Sequence, residues 1–278
     1  DRLLKAPSNQ RGRDFAIMLA AFNQLGYSVE WRVINAADYG RAQRRRRVFF
    51  FVFRNDTKWG KRLHTKYEAT LPTDADLDTR LACYTPYIFK DGLFARQFPV
   101  KGEAVKKRIN VNKLDEDIAE VSANFSDGKM WNSGLMTNGY YYTIETEPKG
   151  DEEPIPMKEI VVSPNQVPKE YYIDGEKLEK FKYLRGPKKI TRTAANGHTY
   201  TFSEGGMSEY DSLELPGRTM LTSEGSVNRS THLLKIDGKY RLITPIEAER
   251  LQDFPDDWTR YKRNAKGEVV EVSDRMRM

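Results

Sequence analysis

Residues 44–53 read RRRRVFFFVF, and no other stretch narrows the folding options of the chain as far. Val48 to Phe53 are all apolar, so they cannot alternate between a wet and a dry face. The run therefore predicts a short strand buried on both sides. It is far too short to cross a membrane. Four guanidinium groups, Arg44 to Arg47, stand at the mouth of that strand. Either they are solvated where the strand leaves the core, or the strand holds them against something anionic.

The flanking sequence predicts regular structure. Phe15, Met18, Leu19, Phe22 and Leu25 form a helical stripe closed by Gly26, with Asp14 as a cap or first-turn acid. Val29, Trp31 and Val33 then alternate with Ser28, Glu30 and Arg32, as in a half-exposed strand. The turn formers of NAADYG (35–40) separate this strand from the arginines. Helix, strand, turn, arginines and strand together predict the edge of an α/β domain.

From about Arg54 the texture changes. Asn138-Gly139 and Asn196-Gly197 read as hairpin turns, beside the β-prone runs GYYYTI and GHTYTF. ETEPKGDEEPIP (145–156) reads as an exposed connection. The region to about residue 240 is expected to be irregular and β-rich. Regularity returns at RLITPIEAERLQDFPDDW (241–258). Thr244 suits an N-cap, Pro245 the first helical position and Glu247 the third, a capping box. Ile246, Ala248 and Leu251 form the buried side of that helix, and Asp253-Phe254-Pro255 ends it.

The 278 residues carry 46 Lys plus Arg against 40 Asp plus Glu, a net charge of +6 that by itself argues only weakly for nucleic acid. Cys83 has no cysteine partner in the chain, which fits a reducing compartment. His64, His198 and His232 lack zinc-ligand spacing, so no metal is expected. With no long apolar run and no signal-peptide pattern, the expectation is a cytoplasmic protein without membrane contact. The chain opens at Asp1 and ends in SDRMRM, and it reads as a piece of something longer.

Residues 35–49, NAADYGRAQRRRRVF, resemble the eighth motif of the DNA cytosine-5 methyltransferases. Residues 241–258 resemble the ninth, an Arg-x-x-x-x-x-Glu pattern, a short helix and Phe-Pro-Asp. The stretch between them suits that family's target-recognition region. The resemblance implies an α+β chain. Residues 1–57 would end a Rossmann-like catalytic domain at the edge of its α/β sheet, and 58–240 would form an irregular β-rich target-recognition domain. Residues 241–278 would hold the ninth-motif helix and return toward the catalytic domain. Ala42 stands where the family usually has proline.

Carried over by position, Gln43, Arg45 and Arg47 are the family's active-site residues in this chain. The resemblance gives Arg47 a contact with the flipped cytosine, and gives Arg45, with Gln43, a supporting role. Arg44 and Arg46 point to the opposite face, toward solvent or phosphate. DNA-contact candidates are Arg44, the basic cluster Arg185, Lys188, Lys189 and Arg192, and the polar loop residues Asn228, Arg229, Ser230 and Thr231. A solvated face and an ordinary polar turn remain open for the last two groups. Cys83 lacks the family's Pro-Cys context and is expected to be a buried small hydrophobe or a loop residue, not the nucleophile.

The family's Gly-rich loop, Pro-Cys and Glu-Asn-Val motifs are not found in the chain. The expectation is therefore that S-adenosylmethionine is bound by parts of the parent enzyme outside this chain, and that the chain alone is inactive. Its partners would be double-stranded DNA and a missing N-terminal catalytic half or partner subunit. It would act in a prokaryotic or phage-infected cell, associated with the nucleoid. An alternative is a catalytically inactive, stand-alone DNA-binding module.

Overall fold

The computed structural model describes residues 2–102, 108–115 and 117–278. These residues mix helices and strands and fall into two compact units. The first comprises the chain up to Asn35 together with Arg46–Asp151, and the second comprises Ala36–Arg45 and Glu152–Met278. No helix among the described residues is long and apolar enough to cross a membrane.

The first unit is built on a five-stranded sheet in the order β2-β1-β4-β5-β3. Its strands are β1 (Tyr27–Asn35), β2 (Arg46–Arg54), β3 (Ile109–Lys113), β4 (Ser133–Thr137) and β5 (Tyr140–Ile144). Each pairing is antiparallel. Two layers cover the sheet. Helix α1 (Arg13–Gln24) lays Phe15, Ala16, Leu19 and Ala20 against Val29, Trp31, Met136 and Tyr141, with Val121 of a second helix beside them. On the other face, Leu63, Tyr67, Tyr84, Tyr87 and Ile88 pack on Leu135, Tyr142 and Ile144.

These two layers invert what the apolar pattern predicts for the first two strands. The alternating strand β1 is buried on both faces, while the apolar run lies on β2 at the end of the sheet, with Phe49 46% and Phe50 36% exposed. The polar residues of β1 are tolerated because distant backbone satisfies them. Glu30 accepts the amides of Leu93 and Phe94, both at 2.9 Å, and so caps helix α2 (Leu93–Gln97). Arg32 donates to the carbonyls of Ile88 and Phe98. Burial pushes the Glu30 carboxyl up, against the two amides that favour its charged form.

Residues 54–130 differ from the expected irregular β-rich texture. They carry helices at Lys58–Leu63, Leu77–Pro86, Leu93–Gln97 and α3 (Ile118–Asn124). The compact units also cut across the expected 1–57, 58–240 and 241–278 divisions, because β4 pairs directly with β1. Asn138-Gly139 does form the β4–β5 hairpin turn, with φ of +47° and +75°.

The second unit holds a three-stranded sheet of β6 (Tyr172–Ile173), β9 (Leu234–Ile236) and β10 (Lys239–Arg241), ordered β6-β10-β9. It also holds two separate ribbons, β7 (Lys188–Thr193) with β8 (Thr199–Glu204), and β11 (Tyr261–Arg263) with β12 (Val269–Glu271). Helix α4 (Gly175–Arg185) buries Phe181 beside Ile173, Leu233 and Leu242. Helix α5 (Pro245–Leu251) begins as predicted, with Thr244 and Glu247 completing a capping box. Its core partners include Ala42, Met157, Leu234 and Ile243.

Gly134 marks the tightest approach in the first sheet: a Cβ there would sit 2.1 Å from the Trp31 ring and 2.4 Å from the Tyr142 carbonyl oxygen. Gly134→Ala is expected to lower the unfolding free energy by about 1–3 kcal/mol in urea titrations. Gly225→Ala, where a Cβ meets nothing within 4 Å, is expected to stay within about 0.5 kcal/mol of the unsubstituted chain.

Candidate nucleic-acid site

Segment 36–45 leaves one strand of the first unit and folds entirely within the second. Its own ends are joined by the Ala36 amide donating to the Arg45 carbonyl at 3.1 Å. Gln43, 3% exposed, is the centre of the segment. Its Nε2 donates to the Leu251 carbonyl at the end of α5 (3.0 Å), and its Oε1 accepts the Met220 amide (3.0 Å). The backbone runs parallel to residues 217–219. The Arg44 amide donates to the Gly217 carbonyl and the Gly217 amide to the Ala42 carbonyl, both at 2.7 Å. The Thr219 hydroxyl donates to the Arg44 carbonyl at 2.8 Å. A Cβ at Gly217 would lie 2.7 Å from Leu251 Cδ2 and 3.1 Å from Met157 Sδ, so a larger residue there needs those side chains to shift.

Arg45 is half-buried and donates to Gln43 Oε1 (3.4 Å) and to the Met220 carbonyl (3.1 Å). Arg47 lies on β2 in the first unit, exposed, with Nη1 donating to the Arg46 carbonyl. Alternation is expected to send Arg44 and Arg46 to the face opposite Arg45 and Arg47, toward solvent or phosphate, and both are exposed. Arg47 is exposed as well, since β2 ends its sheet among the described residues. Ala42 is buried and gives its carbonyl to Gly217, so a residue other than proline still fits the turn.

The Arg-x-x-x-x-x-Glu pattern turns out to be a buried ion pair. Arg241 meets Glu247 in a two-pronged contact at 2.8 and 2.6 Å, both side chains nearly unexposed. Glu247 also accepts the amides of Val162 and Thr244. Sequence reading gave Glu247 only its capping role, since the partner amide of Val162 is 85 positions away.

The basic and polar candidates separate by burial. Arg185 is corrected: at 1% exposure it binds Asp211 (2.8 Å) and the carbonyls of Ser208, Glu209 and Thr231, and no phosphate reaches it. Thr231 is corrected likewise, buried at 1% with its hydroxyl on the Ser226 carbonyl. Asn228 folds its own loop, accepting the amides of Ser230 and Thr231 and donating to the Ser223 carbonyl. Arg229 is spent on the carbonyls of Leu184, Gly186 and Gly205 and on Glu204. Lys188 is held by the Leu184 carbonyl and Glu204. Ser230 is half-buried, whereas Arg44, Lys189 and Arg192 are exposed. Asp211 and Arg218, which sequence reading missed, complete this network: Arg218 binds the Asp211 carboxylate and the Thr231 carbonyl. Burial alone would raise the Asp211 carboxyl, but the guanidinium groups of Arg218 and Arg185 outweigh it and hold the group well below the usual carboxylate range.

Cys83 sits on the helix Leu77–Pro86, not in a loop, and donates to the Tyr67 carbonyl. Burial and then the Glu68 carboxylate push its thiol up, the opposite of what a nucleophile needs. His232 and Glu224 are both fully buried, 3.1 Å apart. The cavity beside α5 does not fit S-adenosylmethionine: of its carboxylates, Asp256, Asp257 and Glu271 are paired with Arg250, Arg260 or Arg277 and Asp274 accepts from the Tyr171 hydroxyl, so none stands unpaired to take a ribose.

A protein-family model described as C-5 cytosine-specific DNA methylase matches residues 3–271. The chain is 54% identical over 259 residues to the Type II methyltransferase M.Sau3AI of Staphylococcus aureus, an alignment covering 93% of this chain and 58% of that protein. Shorter matches are to the Type II methyltransferases M.MthTI of Methanothermobacter thermautotrophicus (36% over 67 residues, 24% of this chain and 18% of that protein) and M.NlaIV of Neisseria lactamica (40% over 45 residues, 16% and 11%). The chain thus spans less than two thirds of the length of each relative.

Asp211 gives the site a testable pH dependence. Its pKa is depressed on folding, so its contribution is present above the unfolded value near 3.9 and is lost as pH falls below it. Asp211→Asn strands the buried Arg185 charge and is expected to cost about 3–5 kcal/mol at pH 7 in urea unfolding. The gap to the unsubstituted chain should narrow as pH drops from about 4 to 2.5.

Proposed function

Because the chain belongs to the C-5 cytosine-specific DNA methylase family, we propose that it supplies target recognition and active-site arginines to an enzyme that methylates cytosine in duplex DNA. The observation that carries this reading is the assembly of three separated family segments by one side chain. Gln43 joins the eighth-motif turn to Gly217–Met220 and to the end of the ninth-motif helix. An amide is suited to that task because it donates and accepts at once.

Arg45 is the supporting residue of the pair, its fork aimed by Gln43 and Met220. Arg47 is the residue that touches the target cytosine. A guanidinium remains charged at every working pH and offers a planar set of donors to a base oxygen. The base must leave the duplex to be reached. Arg44, exposed beside the stitched segment, serves a backbone phosphate. Strands β1 and β2 are the part of the first unit that belongs to the catalytic domain's sheet edge, and residues after about 58 belong to target recognition. S-adenosylmethionine supplies the methyl group, and its binding residues are assigned outside the described ones. In this reading the enzyme serves a Type II restriction-modification system in a prokaryotic cytoplasm, which the Type II methyltransferase relatives support.

Methyl transfer from S-adenosylmethionine to duplex DNA tests the reading, measured with the full-length protein that contains this chain. Arg47→Ala is expected to reduce transfer about a hundredfold with its unfolding midpoint nearly unchanged, and Arg45→Ala to reduce it as far while also lowering the midpoint, since it leaves the Met220 carbonyl without its donor. Arg44→Ala is expected to weaken DNA binding across all sequences and lower the salt slope by about one. Transfer at an unchanged rate in Arg47→Ala defeats the role given to it.

A further inference from the structure

The ribbon β7–β8 is one of two separate two-stranded ribbons in the second unit, and its six-residue strands are the longer. Its register sets Lys189 opposite Ser203, Thr191 opposite Thr201 and Thr193 opposite Thr199, so these six side chains share one face. All six are exposed. The opposite face carries Ile190 against Phe202 and Arg192 against Tyr200, with the Arg192 guanidinium 4.0 Å above the Phe202 ring. The ribbon's apolar pair and its stacked cation thus stiffen one side. The other side is a row of hydroxyls and one ammonium with nothing to bury. Such a face gains little from folding, and a two-stranded ribbon alone is only marginally stable in water.

What makes the ribbon stand is a clamp at its base. Arg229 donates to Leu184 and Gly186 where the ribbon begins and to Gly205 where it ends, and pairs with Glu204 at 2.8 Å. Lys188 closes the same end on Leu184 and Glu204. Beneath them the buried Arg185 ties the end of α4 to Asp211 and Thr231. Both arginines are thereby used up as fasteners. Beyond the clamp, residues 189–203 contain Lys189 and Arg192 and not one carboxylate, a charge pattern complementary to DNA. Each strand of six residues is about 20 Å long, and the major groove, about 12 Å wide, admits a two-stranded ribbon.

We propose that this ribbon is the base-reading element, entering the major groove with its Lys189, Thr191, Thr193, Thr199, Thr201 and Ser203 face against base edges, and that Arg229 is the residue that positions it. The inference rests on the methyltransferase reading and adds to it the place where sequence is read. Lysine suits guanine acceptors, a threonine methyl suits the thymine methyl, and hydroxyls serve either donors or acceptors. Arg192, on the far side, is left for phosphate.

The test is selection of duplexes from a randomised 20-base-pair library by the full-length protein, with bound and unbound pools sequenced. Thr191→Val and Thr201→Val together keep strand propensity while removing the central hydroxyls. The double variant is expected to bind duplex DNA with an unchanged salt slope but to lose about tenfold or more of its preference at one or two base pairs. Arg229→Ala is expected to relax the same positions, and combining it with the valine pair is expected to add little further loss. Circular dichroism checks that each variant is folded. Identical selected sequences from the valine variant and the unsubstituted protein overturn the ribbon assignment while leaving the methyltransferase reading intact. Loss of preference at other positions in Arg229→Ala overturns its positioning role. No enrichment at all by a protein that still transfers methyl groups also sinks the ribbon. Absence of both enrichment and transfer sinks the methyltransferase reading itself.

Discussion

The second unit depends on one buried amide. Gln43 is hydrogen-bonded on its donor side to the last turn of α5 and on its acceptor side to Met220 and Arg45. Asparagine is one methylene too short to span that gap, and glutamate has no donor for the Leu251 carbonyl. From Met220 the dependence runs along the chain to Arg218, whose guanidinium holds the Asp211 carboxylate and the Thr231 carbonyl. Asp211 in turn neutralises Arg185, and the Thr231 loop carries Arg229. A sequence of short contacts thus joins the family's eighth-motif turn to the base of an exposed ribbon. Each link is a charged or amide group shielded from water, where loss of one partner costs more than the pair contributes by existing.

Charge in this protein is divided between two uses. Arg32, Arg185, Arg229 and Arg241 spend their donors on backbone carbonyls and enclosed carboxylates. Arg44, Lys189 and Arg192 remain at the surface. The net charge of +6 describes neither population. On the proposed reading, what matters for DNA is where the carboxylates are missing, and residues 189–203 are one such place. A threonine-rich strand face there is also consistent with strand propensity, since β-branched side chains favour extended backbone without needing a core to pack against.

Local signals in the sequence are legible where a few neighbouring residues decide the outcome. The capping box at Thr244 to Glu247, the Asn138-Gly139 turn and the α1 stripe from Phe15 to Phe22 depend only on backbone geometry within one or two turns, whereas Leu25, expected to end that stripe, lies just past the helix and is 70% exposed. The family motifs were equally legible, since they are short and contiguous. The two strands flanking residues 36–45 invert what their apolar patterns imply. An alternating pattern implies a wet face, yet the polar side of β1 lies under the layer that contains Tyr87 and Ile88. An apolar run implies burial on both sides, yet β2 ends its sheet among the described residues.

The residue types and their local spacing determined the helices α1 and α5, the hairpin turn at Asn138-Gly139, the family and the set of candidate arginines, but not the helices of residues 58–124. Only the tertiary structure decided which arginines face solvent, which polar residues are buried and which strand lies at the edge. The physical reason is that the free energy of a polar side chain depends on its partner, and these partners lie far along the chain. Glu30 meets Leu93 and Phe94, Arg185 meets Asp211 and Thr231, and Gln43 meets Leu251. No window of neighbouring residues contains both members of such a pair, so their satisfaction is a property of the fold.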